Sequence, residues 1–340
     1  MSQPQQPAPQ PDSSDHTQPL VLWGSVIAEP NVDSPVPNEQ LANPFGLPME
    51  LLAIRFRLVP IVSSANALNA RVTGGGVKVK LDLGPAAIAS DIPIALFGDM
   101  RDTYENGAPL LATVPFTGGE YVLPTAYDWR LKYPLFIPAG RVVTAVFTPL
   151  GINPFPVQVD VIYICRTWDH SKPEPRKTKV PWAASFESKA FTYQANEPKS
   201  ESVSSNLDVL NPFGVPLELS RLSGRCTSLR LLAVSGTQAN YIYEDLAEFR
   251  QVLSTVRMRS SRGFDLIRTP VPFDGVFPVN WRSWDILDGW QMAPQEYYRV
   301  QVNIAAVGAT VDAGNIATGQ FSVGVVGYRD VDVASLRGTP

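Results

Sequence analysis

Three pairs of carboxylates lie close enough in the chain to do acid–base chemistry. Asp99 and Asp102 sit in "GDMRD", Glu120 precedes Asp128, and Asp285 and Asp288 sit in "WDILDG". Glycoside hydrolysis needs only two such groups, one to protonate the leaving oxygen and one to act as base or nucleophile. The last pair lies among Trp281, Trp284 and Trp290, which together resemble a platform for a sugar ring. The competing reading places the acids in surface loops and uses the tryptophans to plug a sandwich. It is favoured because Asp128–Trp129 and Trp284–Asp285 put the same pairing in both halves, and a feature that recurs belongs more simply to the fold. Other chemistry lacks its residues. His16 falls in a polar arm and His170 in a connector, where nothing holds an imidazole against a nucleophile. The same shortage removes His/Cys metal sites, and an oxygen-rich calcium loop at "GDMRD" has little behind it. There is no phosphate loop and no GxSxG elbow. No catalytic residue, cofactor or metal site is assigned, and the chain is read as a non-enzyme.

Composition indicates what must carry such residues. The 340 residues favour two domains, and 44 % hydrophobic content is enough for a core in each. Charged residues are sparse at 18 %, which points to a surface covered in part by partners. Thirty-two prolines and many valines favour short strands over long helices. A net charge of −4 gives no signature of nucleic-acid binding, so no sequence-specific nucleic-acid partner is expected. No apolar run is long enough to span a bilayer, and "MSQPQQPAPQPDSSDHTQP" lacks the pattern of a secretion signal. The chain is therefore expected to stay in the cytoplasm where it is made. Cys165 and Cys226 fall one in each half and read as free buried thiols. Arg250, Arg257, Arg259, Arg262 and Arg268 cluster, and read as a solvated face before they read as an anion-binding patch.

Alternation with a period of two marks the strands. In "LLAIRFRL", Leu52, Ile54, Phe56 and Leu58 point one way; in "VKVKLDL", Val77, Val79, Leu81 and Leu83 do; in "VQVDVIYICR", Val157, Val159, Val161, Tyr163 and Cys165 do. "TGGG" at 73–76 reads as a turn. One stretch is written twice. "NPFGLPMEL" begins at Asn43 and "NPFGVPLEL" at Asn211, with seven of nine positions the same. Asn43, Pro44, Phe45 and Gly46, and again Asn211, Pro212, Phe213 and Gly214, are expected to form a turn entering the first long strand of each unit. Pro44 and Pro48 would fix φ, and Phe45 would anchor in the core. Further landmarks recur in order, including Pro-Phe-x-Gly at 115 and 272, and "VQVDVIYICR" with "FSVGVVGYRD". In the second half, Ile242, Leu246, Phe249, Val252, Leu253 and Val256 recur at three- and four-residue spacing, which predicts an amphipathic helix over 240–261.

The expected fold is all-β: two tandem jelly-roll-like β-sandwiches, with one helix inserted in the second. The expected division is a disordered arm at 1–19, a first sandwich at 20–170, a linker at 171–181 and a second sandwich at 182–336.

Duplicated halves, chain length, an N-terminal arm and an inserted helix together resemble the double jelly-roll major capsid proteins of tailless icosahedral viruses, including membrane-containing bacteriophages. The resemblance covers roughly residues 20–335 and rests on architecture, with no diagnostic motif. It implies a structural virion protein that self-assembles as trimeric, pseudo-hexameric capsomers into an icosahedral shell. The implied partners are copies of the chain within and between capsomers, other virion proteins and, in some members, an internal membrane. The implied site of assembly is the host cytoplasm, and residues 1–19 would reach neighbouring capsomers. Apolar loop residues Phe136, Phe155, Trp182 and Phe277 would be contact points. A tandem carbohydrate-binding or adhesin-like spike or fibre module is the alternative, marked by exposed aromatics beside acids. A carboxylate-dependent glycosidase is third.

Overall fold

A computed structural model describes residues 17–61, 76–97, 125–150, 156–187, 191–194, 203–235, 238–245, 253–272, 289–306 and 316–337. The first half forms two sheets. One has the order β1 (Pro19–Ala28), β8 (Val157–Thr167), β3 (Met49–Pro60) and β6 (Thr125–Ile137). The other runs β5 (Ala86–Pro93), β4 (Val77–Leu83), β7 (Val143–Pro149) and β2 (Ser34–Pro35). In the second half, β9 (Lys177–Glu187), β18 (Ile316–Asp332), β12 (Leu217–Ser235) and β16 (Trp290–Met292) are neighbours in that order. Beside them stand β11 (Val203–Leu210), β17 (Tyr297–Ala306), β14 (Leu253–Ser260) and β15 (Asp265–Pro272). Two strands of the second half have no counterpart among the described residues of the first: β10 (Phe191–Gln194) pairs with β18, and β13 (Gln238–Asp245) with β12. With these set aside, both halves have the same strand order, that of a jelly roll. A single parallel bridge, Ala89 to Ala183, joins β5 to β9 and makes one ten-stranded sheet from parts of both halves.

The alternation read in the sequence builds the cores. Val77, Val79, Leu81 and Leu83 are fully buried, as are Val157, Val159, Val161 and Tyr163. Burying each such side chain contributes about 1.5–3 kcal/mol. In the first core, Phe97 stacks on Phe56 at 5.4 Å and on Trp129 at 4.3 Å, so Trp129 does plug its sandwich. Cys165 is buried among them, and burial pushes its thiol up to about 12, which leaves it unreactive near neutrality. Cys226 lies on β12 opposite Phe321.

Three expectations are corrected. The described residues of 240–261 carry strand, not helix, up to a turn at Ser261: β13 ends at Asp245 and β14 occupies Leu253–Ser260. In β14 the burial has period two, with Val256 and Met258 inside and Arg259 outside. Val256 fits a helical stripe and a strand face equally well, and cross-strand pairing with β15 and β17 decides between them. In β3 it is Leu51, not Leu52, that joins Ile54, Phe56 and Leu58 in the core, because a bulge between Leu51 and Ala53 changes the phase. The third concerns register. Tyr163 lies opposite Ile54 in the first half, and Val325 lies opposite Leu222, the counterpart of Ile54, in the second. The last strands therefore align two residues away from the match "VQVDVIYICR" to "FSVGVVGYRD". A slip of two keeps every side chain on its face, so the pattern alone does not fix it. The linker expected at 171–181 overlaps β9 from Lys177 onward.

The bulge itself is repeated. The pairing of β12 shifts between Leu219 and Arg221, the same place in its copy of the motif as Leu51 to Ala53 in β3. Opposite Leu219 stands Gly327, where an added Cβ would lie 2.9 Å from the Glu218 carbonyl oxygen and 2.9 Å from the Leu217 side chain. Gly327→Ala is expected to destabilise the protein by about 2 kcal/mol, since backbone must move to admit the methyl group. The check is a lower urea midpoint with an unchanged slope; an unchanged midpoint would show the strand crossing to be loose.

Candidate functional site: the repeated turn and the junction between sandwiches

Each copy of the motif begins with an asparagine that closes a loop on itself. Asn43 Oδ1 accepts the Phe45 N–H at 3.0 Å, and its Nδ2 donates to the Leu47 carbonyl at 2.7 Å. Asn211 Oδ1 accepts the Phe213 N–H at 3.0 Å, and its Nδ2 donates to the Val215 carbonyl at 3.0 Å. These are Asx turns, for which a short side chain with both donor and acceptor is needed. Gly46 takes φ +63°, a conformation open to glycine, and donates its N–H to the Asn43 carbonyl.

The surroundings of the two turns differ. Asn211 is fully buried and also donates to the carbonyls of Met292 at 3.2 Å and Ala293 at 3.0 Å. Phe213 packs edge-on against Trp182, with centroids 5.3 Å apart, and the Arg329 guanidinium lies 3.8 Å from its ring centre. Phe45 is 62 % exposed, contrary to its expected role as a core anchor. The strand pairings supply the reason. Trp182 is opposite Gly327, and the corresponding position in the first sandwich, opposite Cys165, is Leu20. By the same register Thr167 stands in the place of Arg329. At these two positions the first sandwich offers neither an indole nor a guanidinium to hold Phe45.

Arg329 also ties the halves together. It is buried, and its Nη2 donates to the Ala87 carbonyl of β5 at 3.0 Å. Burial pulls its pKa down to about 10. Nearby, Glu218 of β12 accepts hydrogen bonds from Tyr133 Oη at 2.7 Å and Lys132 Nζ at 3.0 Å, both from β6. Lys179 of β9 reaches its other oxygen at 3.4 Å. Burial alone would raise the Glu218 pKa, but the bonds from Tyr133 and the two lysines hold it below the usual glutamate range. The Lys132 N–H donates to Tyr328 Oη at 2.7 Å, and the Tyr133 and Tyr328 rings meet edge-on at 5.1 Å. Val180, Ala183, Val326 and Leu336 of the second half join the first core cluster, so the junction has an apolar floor beneath these polar groups.

The remaining sequence candidates fall as follows. Asp99, Asp102, Glu120, Trp281, Trp284, Asp285, Asp288, Phe155 and Phe277 lie outside the described residues, as do residues 1–16 of the arm, most of "TGGG" and Arg250, while Gln18 pairs with Thr167 and Pro19 opens β1, so the last residues of the expected disordered arm are ordered. Asp128 sits beside Arg55 and Arg130, each at 3.4 Å. Trp290 is 38 % exposed, donates through Nε1 to Tyr298 Oη and has Phe264 at 5.8 Å. Phe136 and Trp182, expected as contact points, are buried. Arg257 and Arg259 face Asp265, and Arg262 faces Glu296. Arg268 is exposed. Among the described residues no three His, Cys, Asp or Glu gather as a metal site, and no helix is long and apolar enough to cross a membrane. Glu218 and Arg329 were missed by the sequence reading. Glu218 has one signal, since it repeats Glu50 inside the duplicated motif.

The strand orders define the class: an all-β protein of two tandem jelly rolls that share a sheet. No family model and no curated protein matches the chain. Among solved structures it is similar to the major capsid protein P2 of bacteriophage PM2, at 9 % identity over 92 % of this chain and 98 % of that one, with a TM-score of 0.40. It is similar to the mavirus major capsid protein at 10 % identity over 100 % and 95 %, with a TM-score of 0.38. A chain from the cryo-EM structure of the Sputnik virophage is 9 % identical over 98 % and 90 %, with a TM-score of 0.42. With identities and scores this low, the fold assignment rests on the strand pairings described above.

Proposed function

We propose that this chain is a structural virion protein, a double jelly-roll major capsid protein whose trimers form pseudo-hexameric capsomers of an icosahedral shell. The observation that carries the reading is the repetition of one strand order in two sandwiches locked by a shared sheet. Such a body offers two near-equivalent units per chain, so three chains present six units around one axis, and closed symmetry multiplies each weak contact. Its role is to touch sister copies and other virion proteins, with assembly in the host cytoplasm and no substrate turned over. The test is the native mass and outline of the purified protein. A species of three 37.1 kDa chains with a six-sided outline in negative stain is expected. A protein that stays monomeric at every concentration overturns the proposal. The exposed Phe264–Trp290 pair favours one second reading, a glycan-binding module. In that case monomers are retarded on a glycan column and Trp290→Ala abolishes the retardation.

A further inference from the structure

The contact inside the chain is a template for a contact between chains. Within one chain, the outer face and free edge of β9 are covered by the first sandwich. Ala183 is fully buried and bridges Ala89 of β5, and Arg329, whose guanidinium lies over the Phe213 ring, donates across the seam to the Ala87 carbonyl of β5. The strand pairings identify the equivalent positions of the first sandwich. Pro19 stands for Pro181, Leu20 for Trp182, Val21 for Ala183 and Trp23 for Ser185, while the repeated motif makes Phe45 the counterpart of Phe213.

At these equivalent positions the first sandwich is bare. Val21 is 64 % exposed, Trp23 58 % and Phe45 62 %, the three largest exposures among the described large hydrophobic residues, tied only by Ile27 at 58 % further along β1. Ile164 and Ile162, opposite Val21 and Trp23 on β8, are half-buried on the same face. An apolar surface of this kind on one sheet marks an interaction site. The edge of β1 is open too. The Ser25 N–H points off this edge and is capped by Gln40 Oε1 at 2.9 Å. Val21 and Trp23 share its direction by the two-residue period, and their N–H groups have no partner among the described residues. Where α1 (Asn38–Leu41) ends its cover, the strand is free to accept another.

We infer that Val21, Trp23 and Phe45 of one copy receive the β15 edge of a neighbouring copy, reproducing between chains the β9–β5 junction found within each. The occupant follows from topology. β15 is the fifth strand of its jelly roll, as β5 is of the first, and it ends its sheet in the same way. Even the irregularities agree: Leu81 opposite Ala89 and Met258 opposite Ile267 each lie between two register shifts, which makes Ile267 the counterpart of Ala89. The contact brings Val21 alongside Ile267 with the strands parallel. It is heterologous, so it builds a ring where the rotation closes on three copies, as the capsomer reading requires, and does not pair two copies face to face. It rests on the capsomer reading and gives that reading its surface.

Two variants test it. Val21→Cys with Thr269→Cys, two residues from Ile267 and exposed, should be joined into covalent multimers by a short bis-maleimide, and neither single variant should. Trp23→Glu with Phe45→Asp should weaken association by about 30-fold for each side chain, on the order of a thousandfold together. Both residues are exposed, so the released monomer should still unfold cooperatively, at a temperature lowered only by the lost association. If the parent protein is trimeric but the charged variant is equally trimeric and the cysteine pair does not cross-link, this surface is wrong while the capsomer reading stands. If the parent protein is a monomer throughout, both fall.

Discussion

Asn211→Ala is expected to lower the unfolding free energy by about 3 kcal/mol, and Asn43→Ala by about 1 kcal/mol or less. The two asparagines hold the same place in the same motif, so the contrast isolates environment from turn chemistry. Asn211 is fully buried, and its Nδ2 serves the carbonyls of Val215, Met292 and Ala293 while its Oδ1 takes the Phe213 N–H. Truncation leaves three acceptors and one donor with no replacement, and each buried group left unpaired costs about 1–3 kcal/mol. Two N–H bonds shared among three carbonyls are individually weak, which keeps the total near the lower end. At Asn43 the turn is open to water, which replaces the lost bonds to Leu47 and Phe45. Urea unfolding of both variants decides the matter, and equal midpoints would mean that the Met292 and Ala293 bonds contribute nothing.

The second large effect is expected at Glu218. Glu218→Gln removes the charge that faces Lys132 at 3.0 Å and Lys179 at 3.4 Å while keeping the shape of the side chain. Breaking a fully buried pair costs about 3–5 kcal/mol. Here the lysine side chains are 33 % and 32 % exposed, so about 2 kcal/mol is expected after solvent screening. The loss should depend on pH. The folded pKa of Glu218 lies below its ordinary value of 4.5, so the charge stabilises the fold fully above that value. As pH falls from 4.5 through the lower folded pKa, the carboxylate protonates and the advantage disappears. Melting temperatures of the parent and Glu218→Gln proteins should therefore differ at pH 7 and converge in acid. A gap that stays constant down to pH 3 would show that shape, not charge, joins the two sandwiches.

The strands were legible wherever one face met the core and the other met water. Val77 to Leu83 and Val157 to Cys165 announce themselves by alternation alone, and the repeated Asn-Pro-Phe-Gly announces that the fold is doubled. Phase and register were less legible. The bulge after Leu51 leaves no trace in composition, and a two-residue slip of β18 preserves its pattern. The helix expected over 240–261 failed because Val256 satisfies two periods at once, and only partners far along the chain choose one. The junction was hidden for the same reason. Lys132, Tyr133, Lys179, Glu218 and Arg329 look like surface residues on four separate stretches, and folding brings them together. Phe45 was misjudged as an anchor because its fate depends on Leu20 and Thr167, which stand where its twin meets Trp182 and Arg329.

The bridge between Ala89 and Ala183 has a mechanical consequence. Beads on a string bend at the string, but here hydrogen-bonded backbone, a buried guanidinium and a shared apolar floor cross the seam side by side. A shove against one end is carried in shear to the other, and little is absorbed in between. The two sandwiches meet whatever surrounds them as one stiff body.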